Sequence, residues 1–190
     1  DFADGSVANF TITMTSGSDT WVKNFNLTIN APELAFGTIS FADPSPGNGN
    51  GRLDPGETVT ITMPLLNNGG AASLAGTATL NCATPGITIN TGTASFSAIA
   101  ASGSANLTFS LTADAGMTVG TVASLVFHAS AGAYTADKTE YVAVGLIIDD
   151  FSTGDFSSFP WIQGSYPWVI VNDNYHSASY AAKSGTISSN

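Results

Sequence analysis

The chain has 190 residues, enough for one or two domains with a buried core, and 43% of them are hydrophobic, which excludes disorder by composition. Four Lys and Arg against fourteen Asp and Glu give a net charge of -10, which argues against nucleic-acid binding and against docking on an anionic membrane surface. Cations, glycans and other proteins remain as partners. Charged residues make up only 9% of the chain, so Ser, Thr, Asn and Gly must carry solubility. Thr and Val favour strands, and helical patterns rich in Lys, Glu and Leu are missing, so the fold class expected is all-β. The single cysteine, Cys82, precludes a disulfide within the chain. No apolar run is long enough to span a bilayer, so no membrane insertion is expected.

The opening, "DFADGSVANF", lacks a basic segment followed by an apolar core. No signal peptide is therefore expected there, and the chain reads as a piece excised from something longer. "ANFTITMT" (8–15) and "WVKNFNLTI" (21–29) flank the hairpin-type connection "SGSD". Strand-like segments then recur with turn signals between them: "ELAFGTISF" (33–41), "ETVTITMPLL" (57–66), "SLAGTATLNC" (73–82), "GITIN" (86–90), "ASFSAI" (94–99), "ANLTFSLTA" (105–113), "VASLVFHA" (122–129) and "YTADKTEYVAV" (134–144). Val59, Ile61 and Met63 alternate with threonines, and Leu107, Phe109 and Leu111 alternate likewise, so each strand has one buried and one wet face. Seven or eight short strands at regular spacing predict an immunoglobulin-like antiparallel β-sandwich over 31–145, without the Cys–Trp–Cys set of antibody domains.

"SVANFTITMTSG" (6–17) echoes "TVASLVFHASAG" (121–132) at one constant offset. Val7 falls on Val122, Ala8 on Ala123, Phe10 on Leu125, Ile12 on Phe127 and Gly17 on Gly132. Residues 1–30 are thus expected to be the last hairpin of a preceding repeat, although two Thr/Val-rich hairpins can also look alike by chance. Tail strands of this kind leave open edges, which predicts strand contacts between chains. After 145 the aromatics crowd together, from Phe151 to Tyr180, and 146–190 reads as the first strands of another β domain, too short for a core of its own.

The stretch "DPSPGNGNGRLDPGET" (43–58) has the register of a calcium loop. Such loops place oxygen ligands on alternate residues, then a turning Gly, a backbone carbonyl and a bidentate Glu. With Gly51 as the turn, Asn50 and Asn48 precede it, Arg52 offers its carbonyl, Asp54 and Glu57 follow, and Leu53 takes the apolar anchoring slot. The first ligand position holds Pro46, and Asp43 is expected to swing in to replace it. Three carboxylates and two amide oxygens suit a hard cation, so the expected cofactor is a structural calcium. The competing reading is a plain polar turn, since Asn-Gly, Asp-Pro and Pro-Gly are common turn formers.

Cys82, His128 and His176 are the only residues of a possible thiol site, and they lack the context of nucleophile, base and orienter, so no enzyme activity is expected. Asp149, Asp150 and Asp155 either cap turns or bind a second cation. Trp161, Tyr166 and Trp168 could stack on sugar rings, or act as core and interface anchors. Asn9, Asn26 and Asn106 sit in N-x-T sequons that a Thr-rich chain produces freely.

"GNGNGRLDPGETVTITMPLLNNGGA" resembles the opening of Ig-like modules in secreted and surface proteins of the Bacteroidetes, including those that follow the catalytic domain of gingipain-type cysteine peptidases. "DDFSTGDFSSFPWIQGSYPWVI" with "SASYAAKSG" resembles the first strands of the jelly-roll in cleaved-adhesin and MAM-like domains of the same proteins. The resemblance implies a modular, non-catalytic part of an exported protein, secreted or on the surface of a Gram-negative bacterium. Its partners would be neighbouring domains of the same polypeptide and a host protein or glycan. No peptidase activity carries over, because the catalytic domain is not in this chain. The expected function is a calcium-stabilised spacer or adhesion module; the alternative is a carbohydrate-binding accessory module of a secreted enzyme.

Overall fold

The structure, a computed structural model, describes residues 2–145, 151, 154–156, 167–173 and 180–184. It is all-β, as composition predicts, with no helix among the described residues. The strands are β1 (Ser6–Ser16), β2 (Asp19–Ile29), β3 (Leu34–Phe36), β4 (Ser40–Ala42), β5 (Thr58–Asn67), β6 (Gly76–Cys82), β7 (Ile87–Thr91), β8 (Thr93–Phe96), β9 (Ser104–Ala113), β10 (Val122–Ala131), β11 (Tyr134–Ala143), β12 (Val169–Val171) and β13 (Ala181–Lys183). Every pairing is antiparallel. The chain divides into two compact units, Asp1–Leu146 and Ile147–Asn190.

In the first unit, one sheet runs β3-β5-β9-β7, with β4 also on β5, and another runs β11-β10-β6-β8. Their apolar faces share one core. The alternating threonines of β5 turn outward while Val59, Ile61, Met63 and Leu65 are fully buried. From the other sheet, Leu125 and Phe127 of β10 and Leu80 of β6 meet them. The Phe109 and Phe127 rings, one from each sheet, lie edge to face with centroids 5.5 Å apart. Burying about a dozen large side chains this way is the main source of stability, at roughly 1.5–3 kcal/mol for each Val, Leu, Ile, Phe or Met.

The strands differ from expectation at several points, among them the 94–99 run, which ends at Phe96. The run 33–41 is two strands, with a break at Gly37 opposite Pro64. Proline has no N–H to donate, so the ladder there reduces to Gly37 N–H on the Pro64 carbonyl, 2.8 Å. The expected strand 73–82 begins only at Gly76. Ser73 instead pairs with Ile99, donating its N–H to the Ile99 carbonyl (2.9 Å) and accepting the Ile99 N–H on Oγ (3.0 Å). A Cβ on Gly76 would collide with the Ser130 carbonyl, so that start tolerates only glycine. Finally, β7 and β8 are neighbours in sequence but join opposite sheets, β7 pairing with β9 and β8 with β6. The chain crosses between layers at Gly92.

β1 and β2 form a separate two-stranded sheet whose register runs from Ser6↔Ile29 to Ser16↔Asp19. Gly17 turns it with φ +60°. Its base is tied to the rest of the unit by Asp4, whose Oδ1 accepts the Ala31 N–H at 2.8 Å. That bond and one from the Gly70 N–H hold the Asp4 carboxyl below the usual carboxylate range. In the second unit β12 pairs with β13, and Phe151 meets Phe156 edge to face at 6.0 Å.

Candidate functional site

The loop between β4 and β5 winds around Asp43. Its glycines are needed for that: Gly51 sits at φ +72°, where the calcium-loop register wants its turn, and a Cβ on Gly47 would run into the Asp43 backbone. Asp43 points into the loop, where its carboxylate is held by backbone N–H groups. Its side chain is buried (3% exposed), with Oδ1 accepting the Gly51 N–H at 2.9 Å and Oδ2 the Asn50 N–H at 3.0 Å. These bonds, Gly51 first, pull its carboxyl below the usual range and outweigh the opposite effect of burial. Asp43 is therefore an ionised acid in the wall of the protein.

The two asparagines build successive side-chain turns. Asn48 Oδ1 accepts the Asn50 N–H (3.0 Å), and Asn50 Oδ1 accepts the Arg52 N–H (2.8 Å). Both amide groups donate to Asp54 Oδ2, at 2.8 Å from Asn48 and 2.6 Å from Asn50. Glu57 Oε1 accepts the Asn48 N–H at 3.0 Å. Glu57 Oε2 is buried and has no hydrogen-bond partner. It borders a small groove lined by Pro46, Gly47, Gly56 and Thr58. A buried carboxylate oxygen left bare is costly, so this atom is the loop's unmet demand.

The loop is anchored to the core at its far end. Leu53 is fully buried, as its slot predicts, and its carbonyl accepts the Gly145 N–H at 2.7 Å. Glu57 and Gly56 exchange backbone bonds with Ala113 at the end of β9. Asp43, Asn48, Asn50, Asp54 and Glu57 thus share one hydrogen-bonded loop, and Arg52 enters it through its N–H. No three His, Cys, Asp or Glu among the described residues converge as a ready-made metal cluster. Asp54 Oδ2 already has two amide donors, so a cation there requires the Asn48 and Asn50 amides to turn their oxygens inward. The donor set and the bare Glu57 oxygen suit a hard cation; the loop otherwise closes on its own hydrogen bonds.

Cys82 and His128, of the possible thiol site, do not come together. Cys82 pairs with Leu125 and lies on the core side of its sheet, where it is only partly buried rather than a sealed core residue. His128 lies on the opposite face, with Nδ1 2.7 Å from Asp137 Oδ1. A thiol and an imidazole on opposite faces of one sheet cannot form a nucleophile–base pair. His176, Asp149, Asp150, Trp161 and Tyr166 lie outside the described residues. Asp155 is exposed, and Trp168 is half exposed next to β12.

Asn67 is the residue that the strand pattern should have flagged. It follows Val59, Ile61, Met63 and Leu65 at the next inward position of β5, and it is fully buried. Its Oδ1 accepts the Glu33 and Gly69 N–H groups (3.0 and 3.1 Å), and its Nδ2 donates to the Ala71 and Ile99 carbonyls (2.8 and 3.0 Å). One amide therefore joins three segments of chain.

No family model matches this sequence, and no curated protein matches it. The fold defines the class: an all-β protein built of antiparallel sheets.

Proposed function

We propose that the chain is a non-catalytic, calcium-stabilised immunoglobulin-like spacer or adhesion module of an exported bacterial multidomain protein, secreted or held at the cell surface. The strand orders support the immunoglobulin-like part. With β3, β5, β6, β7, β9, β10 and β11 taken as strands A to G, one sheet reads A-B-E-D and the other G-F-C, with β8 added beside C. The resemblance of the 47–71 and 149–170 stretches to modules of Bacteroidetes surface proteins supports the cellular setting. The low content of Lys and Arg and the lack of any pairable cysteine agree with it.

The observation that carries the calcium part is the buried, unpartnered Oε2 of Glu57 at the end of a loop already holding an ionised Asp43. Asp43, Asp54, Glu57, the Asn48 and Asn50 amide oxygens and the Arg52 carbonyl would supply the six to eight oxygens, at about 2.3–2.6 Å, that calcium takes. A bound divalent cation there offsets the repulsion of three carboxylates, and Glu57 ties the loop to β5. Thermal unfolding with calcium and with a chelator tests this. At calcium a hundredfold above its dissociation constant the gain is about 2.7 kcal/mol. Glu57→Gln should abolish most of that gain while Asp155→Asn leaves it. An unfolding temperature and loop protease resistance that ignore chelation would reduce the stretch to a turn.

A further inference from the structure

The β1–β2 hairpin repeats β10–β11 in three dimensions and not only in letters. Val7 faces Thr28 as Val122 faces Ala143, and Ser16 faces Asp19 as Ala131 faces Tyr134, so the pairing is in register from end to end. The turning glycines match too, Gly17 at φ +60° and Gly132 at φ +66°. On β10 the core face is Ala123, Leu125, Phe127, Ala129 and Ala131. The equivalent face of β1 is Ala8, Phe10, Ile12, Met14 and Ser16, joined across the ladder by Leu27, Phe25 and Trp21. The opposite face carries Asn9, Thr11, Thr13 and Thr15, like the wet face of β10. The hairpin is therefore amphipathic, and among the described residues its apolar side packs against no second layer.

We propose that this apolar face docks onto the inner face of an antiparallel sheet built like β3-β5-β9-β7, supplied by strands N-terminal to Ser6 in the same polypeptide. Three observations select that occupant. The first is area. Phe10, Ile12, Met14, Trp21, Phe25 and Leu27 are each between 38% and 57% exposed. At roughly 150–250 Å² for a large side chain this is on the order of 600 Å², near the ~800 Å² each partner gives a stable interface. The second is charge. Lys23 stands within this face, opposite Ile12, at the position of Lys138. Lys138 donates to the Gly37 carbonyl of β3's end at 2.5 Å and pairs with Glu140 at 2.7 Å, so a sheet of the same kind offers Lys23 a carbonyl acceptor. The third is chain order. The strands that cover β10–β11 all precede it, and β2 runs directly into the Ala31 segment as a final strand runs into the next module. A second copy of this chain offers no such sheet face, because its own β3-β5-β9-β7 face is already filled by β10, β6 and β11.

The test compares the 190-residue chain with the natural polypeptide extended N-terminally by about 100 residues, the size of one sandwich. In the 190-residue chain Trp161→Phe and Trp168→Phe leave Trp21 as the only tryptophan, and in the extended chain any tryptophan of the added segment is changed to Phe as well. In the extended chain its emission should shift to the blue and its acrylamide quenching fall several-fold. Ile12→Asp should undo both changes, and Thr13→Asp, on the wet face, should not. Because Ile12→Asp could simply unfold the extension, Lys23→Met is read as well, and it should weaken the protection without abolishing it. Three results would overturn the proposal: unchanged quenching in the extended chain, equal effects of Ile12→Asp and Thr13→Asp, or self-association of the 190-residue chain that buries Trp21 in a second copy.

Discussion

The hairpins β1–β2 and β10–β11 share register, turn glycine and amphipathic pattern, yet Phe127 is fully buried while Ile12, its counterpart, is about half exposed. Phe10 and Phe25, partners across the ladder, stack on each other at 5.2 Å, nearly parallel, and both remain partly exposed. Phe127 instead meets Phe109 and Phe36 from the facing sheet. Alternation therefore encodes a capacity for burial, and burial itself needs an opposing face. A lone two-stranded ribbon is marginal in water, so β1–β2 should contribute little to the stability of its unit as it stands.

Truncating one inward side chain of each hairpin separates the two most strongly. Phe127→Ala should cost about 3–5 kcal/mol in urea unfolding, because it removes a buried ring and leaves a cavity. Ile12→Ala, at the equivalent site, should stay within about 0.5 kcal/mol. Equal losses would mean that the hairpin is covered already. Next in size is Asn67→Ala, expected to cost about 3 kcal/mol, since each orphaned buried backbone group costs roughly 1–3 kcal/mol. Its neighbour Asn68 is exposed, and Asn68→Ala should be near neutral by the same measurement. The lysine pair sharpens the contrast further. Lys138→Met should lose about 1 kcal/mol with its bond to the Gly37 carbonyl, whereas Lys23→Met in the 190-residue chain should change nothing measurable.

The smallest effect is acid sensitivity. Asp4 and Asp43 both have carboxyls held below the ordinary value by backbone N–H groups. Groups depressed in the folded state contribute stability that is fully present above the ordinary carboxylate pKa, near 3.9, and lost as pH falls through the lowered value. Amide exchange at Ala31 and at Gly51 should therefore rise below about pH 4, before the amides of β5, β9 and β10 respond. Asp4→Asn should give the Ala31 effect at neutral pH. Exchange that rises at all sites together would show that neither carboxylate acts locally.

Much of the architecture is legible in the residues alone. Thr/Val alternation specifies strands and their faces, since successive side chains point to opposite sides of a sheet. It locates the buried rows of β5 and β9, and the spacing around Gly51 picks out the Leu53 anchor and residues that share the hydrogen bonds of the 43–57 loop. The same alternation continues one step to Asn67, where an inward polar residue signals a buried amide network. What alternation cannot specify is the partner on the far side of a face or along an edge. Which of β7 and β8 enters which sheet is settled by the crossing at Gly92. Where the 33–41 run breaks is settled by the missing N–H of Pro64 across the ladder. Whether an apolar row is core, as in β10, or bare, as in β1, depends on a second layer that local pattern does not encode, because hydrophobic burial is a property of two surfaces and a strand carries only one.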